Sequence, residues 1–218
     1  MKNLIIALIS IFTLVSCTTE KKSEIQQIPV RDYATQYNAD LTLIENYLKT
    51  HSVTVINNVG FPDDQDATFA LVPNLDANSI WGSNSTTPKP SLLTKLVTAN
   101  GVSQKIYYIK FRDGIGASPT LNSEIRVGYN GSVINEPFTS FDKQVLPGIK
   151  LPLNGVIKGW QEILPEFKMG TITGTNQYAD FGAGAMFLPS TLAYFNQSRA
   201  GIPSYSPLIF TVKLYNIL

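Results

Sequence analysis

Val156, Ile157, Gly159 and Trp160 stand within five residues and could together build a binding hollow. Val and Ile favour a strand end, and Gly allows close approach of backbone or ligand. Gln161-Glu162-Ile163-Leu164 follows with a short helical pattern, stopped near Pro165 and Gly170. A Trp in the first turn of such a helix presents a flat indole face at its open end. Ringed by apolar walls, that face would suit an apolar ring. The same Trp160 also reads as a plain core residue, the usual fate of large aromatics. Other chemistry finds less support. His51, the only histidine, has no recognisable nucleophile and orienting acid to work with. Asp63, Asp64 and Asp66 could approach a cation, but the spacing and closing Glu of a calcium loop are missing. Gly114-Ile115-Gly116 lacks the third glycine and following helix of a phosphate cradle. Asn84-Ser85-Thr86 fits a glycosylation sequon by chance. No metal or cofactor is expected.

The elements that must position Trp160 are mostly strands. Thirteen prolines and fifteen glycines accompany many Val, Ile, Tyr and Phe, which suggests strands joined by turns. Seventeen basic and sixteen acidic side chains nearly cancel in 218 residues. A general nucleic-acid binder would need a basic surface, so that class is set aside. Tyr33, Tyr37, Leu41, Ile44 and Leu48 recur at three or four residues and form one apolar face of a helix. Asp32 is its plausible cap; Lys49 and His51 near its end suit the dipole. The helix reads as a packing element or an extra arm, and its Tyr-rich face as a possible dimer contact. Ser52 to Gly101 is the least legible region, with a short strand at Val53–Ile56. Trp81 to Pro90 reads as a linker or lid. From Lys105 onward strands dominate: Ile106–Phe111, Glu124–Tyr129, Ile149–Leu151 and Leu208–Leu214. Asn130-Gly131 reads as a tight turn. Gly174 to Gly184 reads as a long loop.

The first residues do not belong to the fold. Met1-Lys2-Asn3 is a basic start, and Leu4 to Val15 is an apolar run too short to span a bilayer comfortably. It ends Leu14-Val15-Ser16-Cys17 and resembles a bacterial lipoprotein signal, which implies that Cys17 becomes the lipidated first residue. A lone exported cysteine also has no disulfide partner within the chain. Residues 1–17 are then signal and 18–30 a flexible polar tether. Residues 31–104 form the helix and an irregular extension, and 105–218 the main domain.

In that domain four blocks stand in order: Tyr129 in a strand-Tyr-x-Gly run, Val156-Ile157-x-Gly159-Trp160, Pro189-Ser190-x-Leu192-Ala193-Tyr194, and Gly201-Ile202-Pro203 with Leu208-Ile209-Phe210. Their order and rough spacing resemble the FKBP-type peptidyl-prolyl cis-trans isomerases. The lipoprotein start and helix also resemble the gliding-motility-associated FKBP-type proteins. The resemblance implies an α+β fold: an antiparallel sheet curled around one short helix, here preceded by the N-terminal helix. It implies Trp160 as pocket floor, Val156 and Ile157 as one wall, and the Ile157 amide as a hydrogen bond to bound peptide. Tyr129, Ile202 and Phe210 complete the apolar lining, and the Tyr194 hydroxyl reaches the substrate carbonyl. Phe138 matches the aromatic of the family's Phe-Asp pair, which puts Thr139 in the acidic place. Phe141 with Asp142 is the alternative, and Leu151 a further candidate. Phe195 departs from the glycine usual after Ala-Tyr.

The resemblance implies isomerisation of X–Pro bonds in exported proteins, assisting their folding. Its partners would be proline-containing polypeptides, the membrane through lipid on Cys17, and the macrolide inhibitors of the family. The expected location is the cell envelope, lipid-anchored at the outer membrane and facing the periplasm. The alternative is a catalytically weak proline-binding or scaffold lipoprotein in a cell-envelope complex.

Overall fold

The computed structural model describes residues 29–58, 61–82, 89–134 and 139–218. The expectations for the signal, for Cys17 and the tether up to residue 28, for Asn84 and for Phe138 lie outside these residues. Helix α1 (Tyr33–Thr50) forms where the periodicity places it. Asp32 caps it, its carboxylate accepting from Thr35 N–H at 2.9 Å. The hairpin of β1 (His51–Asn58) and β2 (Phe61–Leu71) follows without a linker.

The main sheet comprises β3 (Leu92–Ala99), β4 (Val102–Arg112), β5 (Glu124–Val133), β6 (Ser140–Pro152), β9 (Gly182–Leu188) and β10 (Leu208–Ile217). Its order is β3-β4-β9-β10-β5-β6, with every pair antiparallel. The short helix α2 (Lys158–Ile163) lies against one face. The α+β expectation therefore holds, with an antiparallel sheet, the N-terminal helix α1 and the short helix α2 among the described residues. The sheet begins at Leu92, not at Lys105, so the extension contributes its edge strand. Between α2 and β9 a small hairpin, β7 (Thr171–Gly174) with β8 (Gln177–Ala179), replaces the first part of the long loop read from the sequence.

Strand alternation explains how both faces are filled, since successive side chains point to opposite sides. Ile106, Met186, Leu188, Phe210 and Val212 pack with α2 around Trp160 and Ile163. Their neighbours Tyr107, Ile109, Phe187 and Ile209 pack with Ile44, Tyr47 and Leu48 of α1. Every residue of β9 is buried, as a strand covered on both faces should be. The Tyr-rich face of α1 is thus committed within the chain: Tyr37 and Tyr47 are buried, and the Tyr37 hydroxyl accepts from Lys105 N–H at 2.7 Å. That burial removes the motive for a dimer through this face. His51 is buried with its ring stacked on Tyr47 at 3.7 Å, a packing role.

Asn130-Gly131 is not a turn. Both residues pair within β5, Gly131 lying opposite Phe210 of β10 and Asp142 of β6. A Cβ at Gly131 would come within 2.6 Å of the Phe210 ring and 2.7 Å of the Phe141 ring. Glycine serves there to let two aromatic rings approach the strand, not to reverse the chain.

Candidate active site

The helix α2 is only six residues long, so packing rather than propensity holds it. Gly159 lets it sit close to β9, since a Cβ there would meet the Leu188 side chain at 2.6 Å. This brings Trp160, 4% exposed, beneath the open end between α2 and strands β5, β6 and β10. Ile157 is the N-cap and gives its carbonyl to Trp160 N–H at 3.0 Å, while its own N–H stands outside the helical ladder. Gln161 Nε2 donates to Val156 O at 2.9 Å and to Asn154 O at 3.2 Å, which holds the segment before the helix. Nothing in the sequence reading pointed to Gln161; a polar residue one place after the Trp gave no signal by itself.

A cavity of about 250 Å³ opens here. It is lined by Tyr129, Phe141, Asp142, Leu151, Gly155, Val156, Ile157, Trp160, Tyr194 and Phe210. The rings meet edge to face. Trp160 lies 5.1 Å from Tyr129 and 5.2 Å from Phe210, with interplanar angles of 84° and 88°. Phe141 meets Phe210 at 5.7 Å and 86°. Edge-to-face contact suits the ring quadrupoles and leaves the ring faces that point to the cavity apolar. The indole Nε1 is buried with no hydrogen-bond partner among the described residues.

Ile202 is buried and borders a second, more open hollow that shares Phe141, Asp142 and Tyr194 with the first. Arg199 and Ala200 complete that hollow, and the Arg199 guanidinium lies 5.5 Å from the centre of the Tyr194 ring. The structure places the alternative pair, Phe141 and Asp142, at the cavity. The Tyr129 hydroxyl donates to Asp142 Oδ2 at 2.5 Å. The main obstacle to reading this pair from spacing is that β6 shifts register against β5, so residue counting along it fails.

Two phenols are held protonated. Burial, followed by the hydrogen bond to the Asp142 carboxylate, pushes the Tyr129 hydroxyl well above its usual range. Burial also raises Tyr194; the Arg199 charge opposes this and the Asp142 charge adds to it. Tyr194 therefore remains a hydrogen-bond donor at neutral pH. Chemically the site offers an apolar ring-lined hollow, phenolic donors at its rim and a carboxylate already engaged. Among the described residues it offers no nucleophile and base in contact.

Residues 116–215 match the family model of the FKBP-type peptidyl-prolyl cis-trans isomerases. The chain is 37% identical over 132 residues to the peptidyl-prolyl cis-trans isomerase Mip of Coxiella burnetii, covering 59% of this chain and 49% of that protein. It is 32% identical over 122 residues to the FKBP-type 22 kDa peptidyl-prolyl cis-trans isomerase of Escherichia coli, covering 55% and 53%. The chain spans about half the length of the curated relatives it matches. The crystal structure of FkpA from Escherichia coli aligns with a TM-score of 0.43 at 27% identity, over 56% of this chain and 51% of that one.

Proposed function

We propose that the chain is an FKBP-type peptidyl-prolyl cis-trans isomerase acting on X–Pro bonds of exported proteins and assisting their folding. The observation that carries the reading is the cavity floored by Trp160 and walled by Tyr129, Phe141 and Phe210, with Tyr194 at its rim. A prolyl ring is an apolar ring of the size such a hollow accepts. In this reading Val156 and Ile157 form one wall with Leu151, Ile202 closes the outer hollow, and the Ile157 N–H and Tyr194 hydroxyl bind peptide carbonyls. Phe141 with Asp142 fills the Phe-Asp role, Asp142 fixing the Tyr129 hydroxyl by its hydrogen bond.

The mechanism needs no covalent step. Amide resonance sets the barrier to rotation at roughly 20 kcal/mol, and uncatalysed isomerisation takes tens to hundreds of seconds. At the twisted transition state the amide has lost resonance and its carbonyl is less polar. A dry aromatic hollow favours that form over the planar one, which prefers water. Lowering the barrier by about 4 kcal/mol gives roughly a thousandfold acceleration.

A protease-coupled assay with an Ala-Leu-Pro-Phe peptide tests the reading, and acceleration by the full chain is the expected result. Trp160→Ala is expected to lower kcat/KM roughly 10- to 150-fold, a loss of about 1.4–3 kcal/mol of transition-state stabilisation. No acceleration by the wild-type chain removes the reading, and an unchanged rate for Trp160→Ala removes the site. Inhibition by the family's macrolides is expected at the same hollow. The second reading, a catalytically weak proline-binding scaffold, draws on Phe195, next to Tyr194, in the place of a glycine. Peptide binding without acceleration would decide for it.

The anchoring belongs to the same proposal. Leu14-Val15-Ser16-Cys17 directs lipidation of Cys17 and places the chain in the cell envelope, at the outer membrane facing the periplasm. No helix of the described residues is long and apolar enough to cross a membrane. Mass spectrometry of the mature N-terminus should find an acylated Cys17, and Cys17→Ala should release the chain from the membrane fraction.

A further inference from the structure

We propose that helix α1 positions the active site: Asp40 is a positioning residue that acts on Tyr194 through Ser190, and Tyr33 supports it through Phe195. The proposal rests on the isomerase reading and says how this chain holds that site.

Asp40 sits on the buried face of α1 and is fully buried. A carboxylate is costly there unless donors surround it. Two of its donors come from one residue across the fold: Ser190 N–H at 2.7 Å and Ser190 Oγ at 2.6 Å, both to Oδ2. Gln36 Nε2 donates to Oδ1 at 2.7 Å. Ser190 opens the 3-10 turn Ser190–Leu192 that leads to Tyr194. The Ser190 carbonyl in turn accepts from Ala193 N–H at 2.9 Å and Phe195 N–H at 2.8 Å, the residues on either side of Tyr194. Asp40 thus fixes Ser190, and Ser190 fixes the backbone that aims the phenol.

A second grip holds the next residue. Phe195 has φ +52°, a left-handed conformation that a bulky side chain rarely adopts. The Tyr33 ring stacks on the Phe195 ring at 4.2 Å and 14°. Phe195 O accepts from Tyr205 N–H at 2.6 Å, and the Tyr205 ring meets the Phe195 ring edge-on at 5.3 Å. The start of α1 returns to this point: Arg31 covers the Tyr205 ring at 4.4 Å, and Gln36 Nε2 donates to Tyr205 O at 3.3 Å. Between Tyr194 and Tyr205 the backbone bonds within the segment are few: Gln197 N–H to Tyr194 O at 3.0 Å and the isolated bridge of Arg199 with Ile202. The helix therefore adds to the order of this segment at both ends, at Phe195 through Tyr33 and at Tyr205 through Arg31 and Gln36.

The test is a double-mutant cycle on the full chain. Asp40→Ala and Tyr33→Ala are each measured alone and in a Tyr194→Phe background, by kcat/KM on the Ala-Leu-Pro-Phe peptide. Misplacing a contact group by about 1 Å can cost up to roughly a hundredfold, so Asp40→Ala is expected to lose about tenfold and Tyr33→Ala somewhat less. In the Tyr194→Phe background the same substitutions should cost less than about twofold, because the hydroxyl they aim is gone. Asp40→Asn keeps an acceptor for Ser190 N–H and should recover most of the loss. Equal losses in both backgrounds, or no loss from folded Asp40→Ala and Tyr33→Ala chains, overturn the positioning role. Should Asp40→Ala not fold, the Tyr33→Ala cycle decides by the same criterion. An inactive wild-type chain overturns the isomerase reading itself, so the two failures are distinct.

Discussion

Gly131 and the rings around it set the shape of the hollow at the scale of single residues. Phe141 and Phe210 occupy the space that a side chain at 131 would take, with ring atoms 2.6–2.7 Å from the Cβ position. Gly131→Ala must displace one ring, and overpacking of this kind costs about 1–3 kcal/mol. The expected outcome is a lower unfolding midpoint together with weaker peptide turnover, measured by thermal denaturation and the coupled assay. An alanine that changes neither would show that the rings yield freely. The same position marks a limit of reading by type. Asn-Gly is a strong turn signal because both residues tolerate positive φ, yet a glycine is also what a strand needs where rings crowd it. Contiguous residues were legible: Val156, Ile157 and Trp160 follow from one short block, and Tyr194 and Phe210 from two others. Phe141 and Asp142 were left open against Phe138, because a register shift in β6 breaks the counting on which spacing depends. Gly155 at the rim was missed, since nothing in a glycine's type announces that it lines a cavity.

At the scale of elements, α1 was readable in itself and unreadable in its partnership. Its apolar repeat and Asp32 cap lie along the sequence. Asp40 interrupts the buried face, and its meaning depends on Ser190, which no local pattern connects to it. This buried carboxyl also gives a pH dependence. Burial outweighs the hydrogen bonds from Ser190 and Gln36 and the Arg31 charge, and raises Asp40 above the ordinary carboxylate value of 3.8. An acid raised in the folded state binds its proton more tightly there than in the unfolded chain. Its stabilising contribution is complete below pH 3.8 and is lost as pH rises through the raised folded value. Asp40→Asn removes this titration while the other groups cancel in the comparison. The difference in melting temperature, wild type minus Asp40→Asn, should therefore fall as pH rises from about 3 toward neutrality. A difference that grows over that range would mean that the carboxylate, not the acid, is the form the fold prefers.

For the whole molecule, the decisive feature is that one sheet separates two layers. Leu188, Phe210 and Val212 face α2, while Phe187 and Ile209, on the same strands, face α1. Neither layer can be lost without exposing the apolar back of strands that also build the pocket. The two helices should then unfold with the sheet in one cooperative step, although the full chain exceeds the size at which such behaviour is routine. Leu48→Ala on α1 and Ile163→Ala on α2 each remove a fully buried side chain, and each should cost about 2–5 kcal/mol. They lie on opposite faces, so their effects should add within about 0.5 kcal/mol. Urea unfolding followed by far-ultraviolet circular dichroism and by tryptophan fluorescence should give coincident transitions in the wild-type chain and in both variants. Trp81 itself contacts Leu48 and Lys49 of α1, so the fluorescence of Trp160 is followed in a Trp81→Phe background. Were Leu48→Ala to split the transition, with α1 leaving early and the fluorescence of Trp160 unchanged in that background, the helix would be a detachable arm. The positioning role proposed for Asp40 would then require that the arm be bound during any turnover of peptide. A single shifted transition makes the stability of the N-terminal helix and the integrity of the hollow over Trp160 the same quantity.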